Sequence, residues 1–180
     1  MKSRFQKTIL ALATVLVAAP TMALGETHAP NPLDQLSDKV RHELVMLPFY
    51  NVFDNLTFRM DGDTVTLAGQ VSRPTLKSDA EAVVRRVAGV REVKNEIEVL
   101  PLSGFDNRIR LSVARAVYGN SVLNGYALGA QPSIHIIVKD GNVTLEGVVA
   151  REMDRNVAFL AANGVSGVFS VTNHLRVDRS

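Results

Sequence analysis

Residues 65–71 read VTLAGQV, and 78 positions later the chain reads VTLEGVV. Without a gap, residues 65–99 and 143–177 share thirteen identities in thirty-five positions, where composition alone would give roughly two. The chain is therefore two copies of one module, and each copy must build its own small core. Because there is no cysteine, neither core can rely on disulfides and both must hold by packing.

Each copy has the same order of patterns. A helical stripe comes first: Leu36, Val40, Leu44 and Leu47 before Pro48, and Ile109, Val113, Ala116 and Val117 after a start that Asp106 or Asn107 can cap. A hairpin follows, marked by Asp61-Gly62 and by Asp140-Gly141, dipeptides suited to a tight reversal. After the turn, Val65, Leu67, Gly69 and Val71 fall on one face and Thr66, Ala68 and Gln70 on the other. Gly69 and Gly147 thus sit on the apolar face, where a missing side chain lets a helix come close. No phosphate-loop context surrounds them, so a ligand site is the lesser reading.

A second helical stripe is made by Ala80, Val83, Val84 and Val87 and by Val157, Ala158, Ala161 and Ala162. Both end at a Gly-Val pair, with Gly89 and Gly167 suited to the left-handed exit of a helix. The last strand alternates as Val93, Asn95, Ile97, Val99 and as Val171, Asn173, Leu175, Val177. Asn95 and Asn173 share parity with apolar residues. An inward amide without partners costs on the order of 1 to 3 kcal/mol, so each is expected to bond backbone groups in the helix-to-strand turn. Helix, strand, strand, helix, strand is the expected order, an α+β class of two tandem modules.

These residues resemble the BON domain, a module named for bacterial OsmY and nodulation proteins. The resemblance rests on V-x-L-x-G-x-V at residues 65–71 and 143–149, followed after a helix by G-V-x-x-V-x-N-x-[IL]-x-V at residues 89–99 and 167–177. It implies, for each copy, a three-stranded mixed sheet with two helices on one face. It also implies a non-enzymatic envelope role with no cofactor: binding anionic phospholipid surfaces or envelope proteins in the periplasm, often linked to osmotic stress or envelope integrity. The expected layout is an N-terminal leader over residues 1–25, a flexible segment over 26–35, and modules over 36–101 and 102–180. The second departs from the compact pattern by an insertion at residues 120–132. Tyr118, Tyr126, Leu123 and Leu128 there either pack on the core or form a protruding lip.

The leader reading comes from the residues themselves. Lys2, Arg4 and Lys7 precede an apolar run that ends at Pro20, too short to span a bilayer and followed by small residues suited to cleavage after Ala23 or Gly25. A retained anchor is the competing reading. Export places the protein in the periplasm. Without the leader, 17 Lys and Arg remain against 18 Asp and Glu, a formal charge of −1, so the basic balance of the full chain gives no support to a nucleic-acid partner.

No metalloprotease helix, nucleophile elbow or phosphate loop is present. His135, Glu146 and His174 are expected on the outer sheet face of the second module, where three such ligands could hold a zinc ion, although mixed exposed strand residues are the ordinary case. That face also carries Ile137 and Val148, apolar groups that imply contact with the first module or with a partner. Two surfaces are candidates for binding. A lipid surface would use Arg108, Arg110 and Arg115 on the first helix of the second module, and Arg151 and Arg155, which recur opposite Arg73 and Lys77. A protein adaptor or chaperone would instead use a strand edge, or Tyr118 and Tyr126.

Overall fold

The computed structural model describes residues 31–128 and 132–178; the expected leader lies outside them. The first module runs α1 (Pro32–Val45), β1 (Asn55–Asp61), β2 (Thr64–Val71), α2 (Pro74–Arg85), β3 (Glu92–Asn95) and β4 (Glu98–Val99). The second runs α3 (Gly104–Tyr118), β5 (Ile134–Lys139), β6 (Asn142–Val149), α4 (Glu152–Asn163), β7 (Ser170–Asn173) and β8 (Arg176–Val177). Helix α1 begins at Pro32, with Asn31 accepting from the Leu33 amide, so residues 32–35, expected in the flexible segment, form its first turn. Proline suits that position because its missing N–H is one the first turn leaves free.

In each module the middle strand pairs antiparallel with its hairpin partner and parallel with the broken last strand. The two helices cover the inward face. Val40, Leu44, Val65, Leu67, Val71, Leu76, Ala80, Val84 and Ile97 close the first core; Ile109, Val113, Val117, Ile136, Leu145, Val149, Ala158, Ala162 and Leu175 close the second. Burying a side chain of Val, Leu or Ile size stabilises by roughly 1.5 to 3 kcal/mol, so packing serves where disulfides cannot form.

Several local expectations change. The first hairpin turns on Gly62 and Asp63, one residue later than expected, because Asp61 pairs with Thr64. The second turns on Asp140 and Gly141, both with positive φ. Helix α3 is capped by Ser103, whose hydroxyl accepts from the Asp106 amide, and not by Asp106 or Asn107. Gly69 and Gly147 do not admit a helix. They have φ of +107° and +119°, and a Cβ there would overlap the carbonyl oxygen of Asn55 or of Ser133 on the hairpin partner. Gly89 and Gly167 also have positive φ, but they lie beyond their helices in the turns Val87–Val90 and Val165–Val168, closed by the last residue's amide.

Asn95 and Asn173 occupy the break in the last strand. Each side chain accepts the amide two residues on, from Ile97 or from Leu175, and donates to a carbonyl early in the preceding helix, Lys77 O or Arg155 O, at 2.9 Å. Asn95 also donates to Glu81. They therefore tie the strand to the start of the helix rather than to the helix-to-strand turn, which satisfies the inward amide that the alternation required.

The modules touch through residues 50–54, which lie against β5. The Ile136 amide donates to the Val52 carbonyl at 2.7 Å, Phe53 packs on the second core, Tyr50 stacks on the His135 ring at 5.6 Å, and Lys139 pairs with Glu98 at 2.7 Å. His135 and Lys139 flank Ile137 on one strand face and both reach the first module. Ile137 is accordingly buried, and Val148 half-buried, as an inter-module contact implies.

Candidate functional site

Helix α3 divides its residues sharply. Ile109, Val113 and Val117 face the core, which turns Phe105, Arg108, Leu111 and Arg115 outward along one stripe at helical spacing. Phe105 is 39% exposed and Leu111 43%. The ring of Phe169, 71% exposed, lies 5.8 Å from that of Phe105, and the Arg108 guanidinium sits 5.9 Å from the Phe105 ring. Arg108 and Arg115 have no carboxylate partner among the described residues, so both charges are free for an external anion. The stripe alternates apolar and basic groups.

What aims the stripe is Asp106. Its carboxylate, buried, accepts the amides of Asp140 at 3.1 Å and Gly141 at 2.8 Å in the β5–β6 turn. This fixes the first turn of α3 against the hairpin and leaves Phe105 beside Phe169, which follows Gly141 across the sheet end through its own amide bond to the Gly141 carbonyl.

The other candidate arginines are committed elsewhere. Arg110 is buried and donates to the Val138 carbonyl at 2.8 Å. Burial lowers its pKa, which nearby Asp106 and Asp54 act to raise; it is a structural cation, not a surface one. Arg151 pairs with Asp154, and Arg155 with Glu152 at 3.0 Å. Sequence spacing placed Arg108 and Arg110 together, but two residues along a helix is about half a turn, and the structure sends them to opposite sides.

The insertion packs. Leu123 is fully buried, a single 3-10 turn spans Asn124–Ala127, and the Tyr118 hydroxyl donates to the Ile134 carbonyl. Burial pushes the Tyr118 phenol well above its ordinary range. Tyr126 donates to Asp154 at 2.6 Å and accepts from the Ala150 amide at 2.8 Å. Burial raises the Asp154 carboxyl, and the bonds from Tyr126 and Arg151 more than offset this, holding it below the usual carboxylate range. Neither tyrosine is a free lip residue; among the described residues of the insertion Leu128, 78% exposed, is the most exposed large apolar group, with Val122 less so.

His174 bonds Glu146 at 2.7 Å, while His135, opposite Glu146 across the strands, turns its ring to Tyr50. Burial lowers the His135 pKa, partly offset by the Asp54 and Asn51 carbonyls and by the charges of Asp54 and Glu146. Among the described residues no group of three or more such side chains is placed to hold a metal ion. Nor is any described helix long and apolar enough to cross a membrane.

Sequence reasoning missed the burial of Asp54, Asp106 and Asp154, reading Asp106 only as a possible cap, and the Phe105–Phe169 pair. A signal existed for Phe169: it stands opposite Arg91 in the alignment of the copies, an aromatic where the first module has a charge paired with Asp63.

The family model for the BON domain matches residues 33–101 and again residues 107–179. The chain belongs to the BON-domain family. The two BON matches coincide with the two helix-and-sheet units, and the glycines and asparagines of the repeat occupy the same places in both. No curated protein matches the chain. Among solved structures it is similar to CdsD, a structural protein of the type III secretion system of Chlamydia trachomatis, at 14% identity and a TM-score of 0.29, over 81% of this chain and 94% of that one. It is also similar to the C-terminal domain of CdsD, at 12% identity and a TM-score of 0.29, over 79% and 97%. TM-scores this low carry no argument about the BON modules here.

Proposed function

We propose that the protein is a non-enzymatic module of the bacterial envelope, exported to the periplasm, that docks on anionic phospholipid surfaces through the outer stripe of α3 and serves envelope integrity or osmotic stress. The observation that carries this is the pairing of two guanidinium groups with no carboxylate partner among the described residues, Arg108 and Arg115, with exposed Phe105, Leu111 and Phe169 on the same face. Arginine forks match phosphate oxygens, each worth about 1 kcal/mol near an anionic leaflet, and aromatic rings suit the headgroup boundary. Arg110 is turned inward to the Val138 carbonyl, and Arg151 and Arg155, on α4, are paired with Asp154 and Glu152 while still partly exposed, so the reading rests on them less.

Co-sedimentation of the chain without residues 1–25 tests the reading. Binding to phosphatidylglycerol vesicles that falls from low to high salt, with none to phosphatidylcholine vesicles, is the expected result. Indifference to both, or equal binding to both, sinks it.

A further inference from the structure

Among the described residues of the first module, Phe49 is the one other than glycine with a positive φ, +69°. A bulky residue takes this left-handed conformation at a cost of about 1 to 3 kcal/mol, and only where its surroundings impose it. Here they do. The Asn51 side chain donates to the Phe49 carbonyl at 2.9 Å, and the Tyr50 amide bonds the Leu47 carbonyl. Buried Asp54 accepts the Asn51 amide and both the amide and the hydroxyl of Ser72, which pins the segment after α1 to the end of β2. The result is an aromatic ring held 66% exposed, beside the residue that follows Ser72.

That residue, Arg73, is where the two copies diverge. Its counterpart Arg151 pairs with Asp154, but the place of Asp154 is taken in the first module by Leu76, which is buried. Arg73 has no carboxylate partner among the described residues, and its guanidinium lies 5.0 Å from the Phe49 ring instead. The first module therefore carries the combination found on α3, an arginine open to an external anion beside an exposed ring. The two surfaces adjoin. Arg73 and Leu102, 96% exposed, line an open groove of about 890 Å³ together with Gly104 and Asn107 of α3. Gly104 and Asn107 stand one turn before Arg108 and Leu111, so the groove opens at the start of the outer stripe. Its lining includes two arginines, Arg73 and Arg110, and no acidic residue, which suits an anionic partner.

We infer that the membrane contact is composite: the Phe49 ring and the Arg73 guanidinium of the first module make a second contact with the same anionic phospholipid leaflet, and Leu102 joins it to the α3 stripe. This rests on the lipid reading above and extends it to the other module. The occupant follows from charge and continuity, since the Phe49–Arg73 pair has the chemistry of the stripe and meets it across a groove lined by cations. Once α3 is seated, the second contact forms within one molecule, so a weak pair adds to affinity out of proportion to its own strength. The aromatic ring enters the headgroup boundary while the guanidinium takes a phosphate oxygen.

The chain contains no tryptophan, so a single introduced indole reports its own surroundings. Phe49→Trp, in the chain lacking residues 1–25, is mixed at low salt with phosphatidylglycerol vesicles whose acyl chains are brominated. The expected result is a blue shift of the indole emission together with its quenching by the bromine atoms. Co-sedimentation of the protein with these vesicles while the indole is neither shifted nor quenched overturns the composite contact and leaves the lipid reading standing. Failure to co-sediment at all removes both. Arg73→Ala, at an exposed position, is expected to leave folding unchanged and to weaken vesicle binding about fivefold, the equivalent of about 1 kcal/mol for one charge at the leaflet. Arg59→Ala, which removes an exposed arginine from β1, is the control expected to have the smaller effect. Equal losses from the two changes overturn the inference, because general attraction between the leaflet and any surface charge then accounts for Arg73.

Discussion

The hydroxyl of Tyr126 donates to the buried carboxylate of Asp154 at 2.6 Å and so ties the insertion of the second module to the first turn of α4. The same oxygen accepts the Ala150 amide, so one phenol joins the insertion, the end of β6 and the helix.

Tyr126→Phe keeps the ring and removes that hydroxyl. A hydrogen bond to a charged acceptor contributes about 1.5 to 3 kcal/mol, and a loss of that size is expected in denaturant unfolding at pH 7. Because the folded Asp154 carboxyl titrates below its unfolded value, its contribution is complete above the ordinary carboxylate range and is lost as pH falls through the folded value. The variant should therefore differ most from wild type near neutrality and converge with it in acid. An unchanged midpoint at pH 7 contradicts this account of the insertion.

Arg108 and Arg110 should separate function from stability. Arg108→Ala with Arg115→Ala is expected to leave thermal unfolding unchanged and to weaken anionic-vesicle binding by about thirtyfold at low salt, from about 1 kcal/mol for each charge. Arg110→Ala should instead destabilise the second module by roughly 2 to 4 kcal/mol, since it strips buried Asp106 of its neighbouring cation and the Val138 carbonyl of its donor. Equal effects of the two changes on vesicle binding of folded protein would falsify the assignment of roles.

Phe169→Ser probes the apolar half of the stripe. Phe169 is mostly exposed and its removal leaves the second core intact, so folding should be preserved. Vesicle binding should fall about five- to thirtyfold, the equivalent of 1 to 2 kcal/mol of lost apolar contact. The first module carries Arg91 at the matching position, and Arg91→Ser is the control expected to have the smaller effect.

Gly69→Ala and Gly147→Ala are expected to cost about 3 kcal/mol or more each, because alanine would meet both a positive φ and the carbonyl of Asn55 or Ser133. Measurement of the unfolding midpoint of each variant checks this, and a loss below about 1 kcal/mol, the low end of what a strained backbone position costs, would remove the steric argument.

The contact between the modules is expected to loosen in mild acid because of His135. Its folded pKa lies below the ordinary histidine value, so the neutral ring is favoured in the folded state. Stability from this source is complete above the unfolded value of about 6.5 and declines as pH falls below it toward the folded value. Small-angle scattering or hydrogen exchange at residues 50–54 should show a looser contact at pH 5 than at pH 7.5 in wild type. In His135→Phe, which keeps a ring against Tyr50, the difference should shrink.

What the sequence determined by itself was the module and its order. Alternation at Val65, Leu67 and Val71, helical spacing at Ile109, Val113 and Val117, and a left-handed glycine at 89 and 167 are local facts, since a strand, a helix and a positive φ each depend on a few neighbouring residues. The fate of polar groups was decided only in three dimensions. Nothing near Asp106 in the chain shows that it receives the amides of Asp140 and Gly141, and nothing near Asn95 shows that its partner is Lys77. Arg108 and Arg110 have the same charge and nearly the same neighbours, yet one is free and one is buried, because burying a charge depends on distant groups able to answer it.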